Sequence, residues 1–324
     1  VILAGQSPLL ARHRFLWPEA LVWLAAVAVY FLFPQYLAIA TTVLIVALFA
    51  VSYDLAIGFG GILTLGHGLF FGIGAYCAGW IALLGWTEAV SGALASGVIA
   101  ALVAAALGPF LLRLTGLPLI MVTLGVSVIA YEAANKAAWL TGGDDGLTGF
   151  TMSPLFGAFR WSVFGVTKYF YALGWLFVLF YLVKRVVASP FGVALQGIRE
   201  NSLRMRLIGT ATLRHLTIAY SLSGGVAGVA GALSAQTNAF VGLGVLSLDS
   251  TIDGLVIVVL GGIGTLYGSL IGAPVYVVVK HFAQQWNPFY WMFVIGALLI
   301  VVVRFSRGGL LGMAHAAMTW LVRR

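Results

Sequence analysis

The feature that most constrains this chain is its succession of apolar segments, repeated from Ala20 to Val303 with short polar interruptions. About 18 or more apolar residues in a row suffice to cross the hydrocarbon core of a bilayer as a helix. Of 324 residues, 62% are hydrophobic and 8% charged, against roughly 25% charged in soluble domains. Sustained two-residue alternation is absent, which argues against a transmembrane β-barrel. The pattern predicts an all-α polytopic membrane protein, one domain over 1–324.

About ten spans are expected, near 18–33, 37–58, 62–84, 91–112, 118–140, 169–187, 214–235, 251–263, 266–282 and 289–303. With ten spans, Arg12, Arg14, Arg113, Lys184, Arg185, Arg199, Arg204, Arg206, Arg214, Arg304, Arg307, Arg323 and Arg324 all fall on one side. Lys/Arg-rich loops mark the cytoplasmic face, so both termini are expected there. The net charge of +8 follows from this loop bias and calls for no nucleic-acid partner. The outer side receives the 141–168 loop, with Asp144, Asp145, Arg160 and Lys168, and a short Lys280–Pro288 turn. The single cysteine, Cys77, excludes an intrachain disulfide and a multi-cysteine metal site. The sequence opens on Val1, so a native beginning is expected upstream; residues 1–17 show no signal-peptide pattern.

Glycines break the apolar pattern twice in nearly the same words: Gly60-Gly61-Ile62-Leu63-Thr64-Leu65 and Gly261-Gly262-Ile263-Gly264-Thr265-Leu266. Glycine costs about 1 kcal/mol relative to Ala inside a helix, and backbone freed in lipid must find partners in protein or in a water-filled cavity. Matching breaks in two halves point to a possible internal repeat with a transport path at its interface. A close-packing face, with Gly68 and Gly72 as a G-x-x-x-G pair, is the other reading of the first break. The candidate path residues are Gly60, Gly61, Thr64, Gly66, His67, Thr123, Asn135, Asp253, Gly261, Gly262 and Thr265. Thr64 and Thr265 could bind substrate or bond back to helix carbonyls. Asp54, Glu132 with Lys136 four residues on, Asp249 and Asp253 place charge within or beside spans, where each charge needs a partner or a function.

The stretch SPFGVALQGIRENSLRMRLIGTATLRH, 189–215, interleaves Val193, Leu195, Ile198, Leu203, Leu207 and Ile208 with polar residues. It reads as an amphipathic helix pair beneath the membrane, lying on lipid or docking a cytoplasmic partner. It also resembles the cytoplasmic coupling region of the LivM-type permeases of branched-chain amino acid ABC importers. GILTLGHGLFFGIGAY (61–76), GLPLIMVTLG (116–125), LTGGDDGLTG (140–149), LSGGVAGVAGAL (222–233), VVLGGIGTLYGSLIGA (258–273) and RGGLLG (307–312) are similar to that family in the same order.

The resemblance implies a permease paired with a second, homologous permease in the bacterial inner membrane. Two cytoplasmic ATPase subunits and a periplasmic substrate-binding protein would complete the assembly. By position, Gly192, Gln196, Ile198, Arg199, Glu200, Asn201 and Gly209 would transmit ATPase closure to the bundle. Ile62, Thr64, Asp253 and Ser306 stand where the family usually has Gln, Ser, Glu and Pro, which leaves aromatic or aliphatic carboxylates open as cargo. No G-x-x-x-x-G-K-[ST] loop is present, so ATP is expected on partner subunits, with no cofactor or metal on this chain. Neither a nucleophile elbow nor H-E-x-x-H occurs. The alternatives are a proton-coupled secondary transporter using Asp54, Glu132 or Asp253, and an intramembrane enzyme centred on His67.

Overall fold

The computed structural model describes residues 17–155, 157, 159, 161, 165–287, 290–305 and 309–312. Arg12, Arg14, Arg160, Pro288, Ser306, Arg307, Arg323 and Arg324 lie outside the described residues. Among the described residues there is no multi-residue strand, and the long elements are all helices. They are α1 (Trp17–Leu32), α2 (Leu37–Asp54), α3 (Gly68–Leu83), α4 (Ala89–Leu111), α5 (Leu117–Lys136), the short α6 (Ala138–Thr141), α7 (Val166–Ala188), α8 (Pro190–Glu200), α9 (Ser202–Leu207), α10 (Thr212–Asn238), α11 (Leu248–Gly261), α12 (Tyr267–Trp286) and α13 (Trp291–Phe305). The stretches Pro34–Phe59, Ala89–Leu111, Leu117–Lys136, Val166–Ala188 and Thr212–Asn238 are long and apolar enough to cross a membrane; Ala20–Leu32, Gly68–Leu83 and Trp291–Val302 are shorter apolar helices. The chain is a polytopic helical membrane protein.

The centre of the bundle is α10, packed between α3 and α4. Small residues make this possible. Gly228 sits against Gly74 of α3 and Ala100 of α4, and Gly231 sits on the backbone of Phe71. A side chain at Gly74 or Gly228 would strike backbone or a facing methyl, so LSGGVAGVAGAL is a helix-packing face. Around it lie α2, α7, α11 and α12, with Tyr53, Tyr169, Tyr220 and Phe70 fully buried between them.

Three elements differ from the sequence expectation. The third span begins as helix only at Gly68, because residues 60–67 run as non-helical chain. The helix expected over 251–263 is preceded by a second non-helical stretch, Ala239–Gly242, and a 3₁₀ turn, Leu243–Leu246. Lys280 lies within α12, which continues to Trp286, rather than in an outer turn.

Residues 141–155 pack on the bundle. Leu147 and Val241 exchange backbone hydrogen bonds of 2.8 and 3.1 Å, the Ser153 amide donates to the Thr87 carbonyl at 3.0 Å, and Leu147 and Phe150 are buried.

Candidate functional site

Both glycine breaks lie at one end of the bundle, and they touch. After α2 the chain widens into a π-helical turn, Leu55–Phe59, and turns back at Gly61, where φ is +67°. The second break is the tight turn between α11 and α12, with φ of +116° at Gly262 and +80° at Gly264. A methyl group on Gly58 would lie within 2.7 Å of the Gly264 backbone, so only glycine permits this approach.

Asp54 joins the two turns. Its carboxylate accepts the Gly264 amide at 2.6 Å and the Leu266 amide at 2.9 Å. It is completely buried. A tight turn between helices leaves backbone amides without helix partners, and this carboxylate satisfies two of them.

The third member is Arg199, from outside the spans. Ser189 caps α8, its hydroxyl accepting the Gly192 amide at 3.5 Å. Gly192 lies against the Val187 carbonyl, which lets α8 fold directly under α7. Leu195 and Ile198 are buried against the bundle, and this fixes the rotation of α8. Arg199 then points inward and donates to the Gly58 carbonyl. Its side-chain carbons press on Gly61, and its guanidinium lies beside Gly264. A cavity of about 540 Å³ opens beside this junction, lined by Lys184, Gln196, Arg199, Glu200, Gly264 and Thr265 among others. Asn201 ends α8 and caps α9, its side-chain oxygen accepting the Arg204 amide at 2.9 Å. Gly209 closes the element at φ +90°. Val193, Leu203, Leu207 and Ile208 of this helix pair are exposed. Gly309, from the RGGLLG stretch, packs on the Gly261–Gly262 backbone from the other side.

From the junction, residues 60–67 run into the bundle. Tyr53 donates its hydroxyl to the Thr64 carbonyl, and Thr64 Oγ1 accepts the Gly66 amide at 3.0 Å. Thr123 Oγ1 accepts the Leu65 amide at 3.2 Å and donates to the Ile120 carbonyl. Gly66 lies against the Thr123 backbone. His67 is fully buried, stacked on Tyr53 with 4.6 Å between ring centroids. Its Nε2 lies 3.0 Å from Ser52 Oγ and 3.4 Å from Ser223 Oγ. Both hydroxyls already donate to carbonyls, of Phe49 and Ser52, so Nε2 carries the proton. Its Nδ1 has no hydrogen-bond partner. The next residue, Gly68, starts α3 and gives its amide to Thr251 Oγ1 of α11 at 2.9 Å. Thus α3 and α11 both begin near the middle of the bundle, at the level of Ser223 in the 27-residue α10.

The polar candidates therefore separate into groups. Gly60, Gly61, Gly261, Gly262 and Thr265 surround the Arg199 junction, where the Thr265 hydroxyl donates to the Gly262 carbonyl at 2.7 Å and accepts the Gly268 amide. Thr64, Gly66, His67 and Thr123 form an interior packing cluster. Asn135 is apart from both, half-buried near the end of α5. Glu132 and Lys136 beside it are exposed and form no ion pair among the described residues.

Asp253 stands in a fourth setting, with partners that sequence reasoning missed. Its carboxylate binds Lys280 at 2.6 Å and accepts the Tyr276 hydroxyl. Lys280 lies within α12, about two turns before its end at Trp286 and 27 residues in sequence from its partner. The available signal was the lysine that ends the apolar run 270–279, four residues after Tyr276.

These features fit a membrane permease: discontinuous helices within a bundle, glycine turns in contact at one end, and a peripheral helix pair attached to them. The family model described as branched-chain amino acid transport system / permease component matches residues 35–303. This chain belongs to that family. It is 28% identical over 305 residues to the high-affinity branched-chain amino acid transport system permease protein LivM of Salmonella typhimurium, covering 86% of this chain and 70% of the relative. It is 29% identical over 302 residues to LivM of Escherichia coli, with the same coverage. No solved structure matches the chain significantly.

Proposed function

We propose that this chain is the membrane permease subunit of an ATP-binding cassette importer for branched-chain or other hydrophobic amino acids. The observation that carries the mechanism is the Arg199 junction. One side chain on a peripheral helix pair touches both turns, through Gly58, Gly61 and Gly264. Force applied to the exposed Val193, Leu203, Leu207 and Ile208 surface reaches α2, α11 and α12 through that contact. Two ATPase subunits docked there supply ATP binding and hydrolysis. This chain supplies the path and no nucleotide site.

Alternating access needs two states separated by a few kcal/mol, which ATP binding on a docked partner can reverse. The full reading is a ten-span subunit in a bacterial inner membrane, termini cytoplasmic. It is paired with a second, homologous permease and fed by a periplasmic binding protein. The two glycine turns are the corresponding elements of an internal repeat. The test is uptake of labelled leucine by cells with and without this chain. Uptake lost on ATP depletion and retained under an uncoupler with ATP maintained is the expected result. Uptake that collapses with the proton gradient while ATP is intact would overturn the reading in favour of a secondary transporter.

A further inference from the structure

The Asp253–Lys280 pair opens onto a cavity of about 300 Å³ between α2, α11 and α12. The pair is not sealed: about a quarter of each side chain is accessible, 25% for Lys280 and 27% for Asp253. Its polar lining is Thr42, Ser250, Asp253, Tyr276, Lys280, His281 and Gln284, and its apolar lining is Ile39, Val46, Phe49, Phe71 and Val277. Phe49 ties the cavity to the middle of the bundle, since its ring also packs on His67 at 5.5 Å. The Lys280 ammonium is held from the side by the Trp291 ring, 4.7 Å from its centroid.

A charge within a span is costly against lipid, so the open side of this pair calls for water, a covering protein surface or cargo. Neither charge is tied to backbone by any contact described above, in contrast to Asp54. Small-ligand sites combine a mainly apolar lining with a few placed polar groups, in volumes from about 300 Å³ upward.

We propose that this cavity is a transient binding site for the zwitterionic head of an α-amino acid. Asp253 takes the α-ammonium. Lys280 and the Tyr276 hydroxyl take the α-carboxylate. The aliphatic side chain lies against Val46, Phe49 and Phe71. Entry of a zwitterion opens one ion pair and makes two, so neither protein charge is left buried alone, the outcome that is strongly unfavourable. A carboxylate without an ammonium would leave Asp253 unpaired, so the site discriminates against simple organic acids. This inference rests on the amino-acid reading above and adds the groups that recognise the cargo.

The test uses the complete transporter in proteoliposomes, with labelled leucine and labelled 4-methylpentanoate as probes. Wild type should carry leucine at least tenfold better than the acid. Asp253→Asn should raise the leucine KM at least tenfold. The decisive variant is the double neutral Asp253→Asn with Lys280→Gln, which leaves no orphan charge. If the pair recognises cargo, the double variant assembles but has a leucine KM at least tenfold higher. If the pair only holds helices together, the double variant transports with an unchanged KM, and the proposal is wrong. Assembly failure of the double variant would also count against it, because a fold-holding role would then explain the pair. Wild type carrying no amino acid at all would instead sink the function proposed above.

Discussion

Two acids sit in the same apolar bundle and are treated in opposite ways. Asp54 is fully buried, and its oxygens are occupied by the amides of Gly264 and Leu266. Asp253 pairs with a side chain, remains partly accessible, and borders a cavity. Backbone amides in a tight turn cannot move away without unfolding the turn, so Asp54 is a structural fixture. A lysine on a flexible stem can release its partner, so Asp253 can change partners. Burial alone does not mark a functional charge in a transporter; what matters is whether its partner can leave.

That contrast can be broken experimentally. The largest effect is expected at the contact between the turns. Gly58→Val places a branched side chain where the Gly264 backbone and the Asp54 carboxylate lie. The protein should fail to accumulate in membranes, as measured by blotting; normal abundance would mean that the turns need not touch. Next is Asp54→Asn, which turns one acceptor oxygen into a donor facing a buried amide. An unsatisfied buried group costs about 1–3 kcal/mol, so the detergent-solubilised protein should melt several degrees lower. The double neutral at Asp253 and Lys280 should melt within a degree or two of wild type. Equal losses would erase the distinction between the two acids.

A smaller, local effect is expected on the peripheral helix pair. Leu207 is 80% exposed on α9. Leu207→Asp should weaken co-purification of the ATPase subunits while leaving melting unchanged. Unaltered co-purification would move the docking surface elsewhere. The smallest effect is expected at Glu132, which is exposed and unpaired among the described residues. Glu132→Gln should leave uptake and its pH profile unaltered; loss of gradient-dependent uptake would revive the proton-coupled alternative.

The positions of the long helices were legible in the sequence because lipid imposes length and apolarity on them. The helix pair of 189–215 was legible because Val193, Leu195, Ile198, Leu203, Leu207 and Ile208 interleave with polar residues in an amphipathic pattern; the caps by Ser189 and Asn201 came from the structure. The two glycine turns were legible as breaks, but their mutual contact was not. It depends on pairings such as Asp54 with Gly264 and Leu266, more than 200 residues apart. The separate stretch Ala239–Leu246 was also missed. Its traces were the glycines Gly242 and Gly244, the capping Ser247, and a following span too short to cross alone. Thr265 illustrates the limit: residue type and location suggest a substrate path, while its hydroxyl donates to the Gly262 carbonyl and accepts the Gly268 amide.

The central claim is that ATP-driven motion enters the bundle through Arg199. The direct measurement is leucine uptake and ATP hydrolysis side by side, in proteoliposomes of the complete transporter, for wild type and Arg199→Ala. The predicted result is uptake reduced at least tenfold, with ATP hydrolysis retained but no longer tied to transport. Uptake and hydrolysis remaining coupled as in wild type would contradict it.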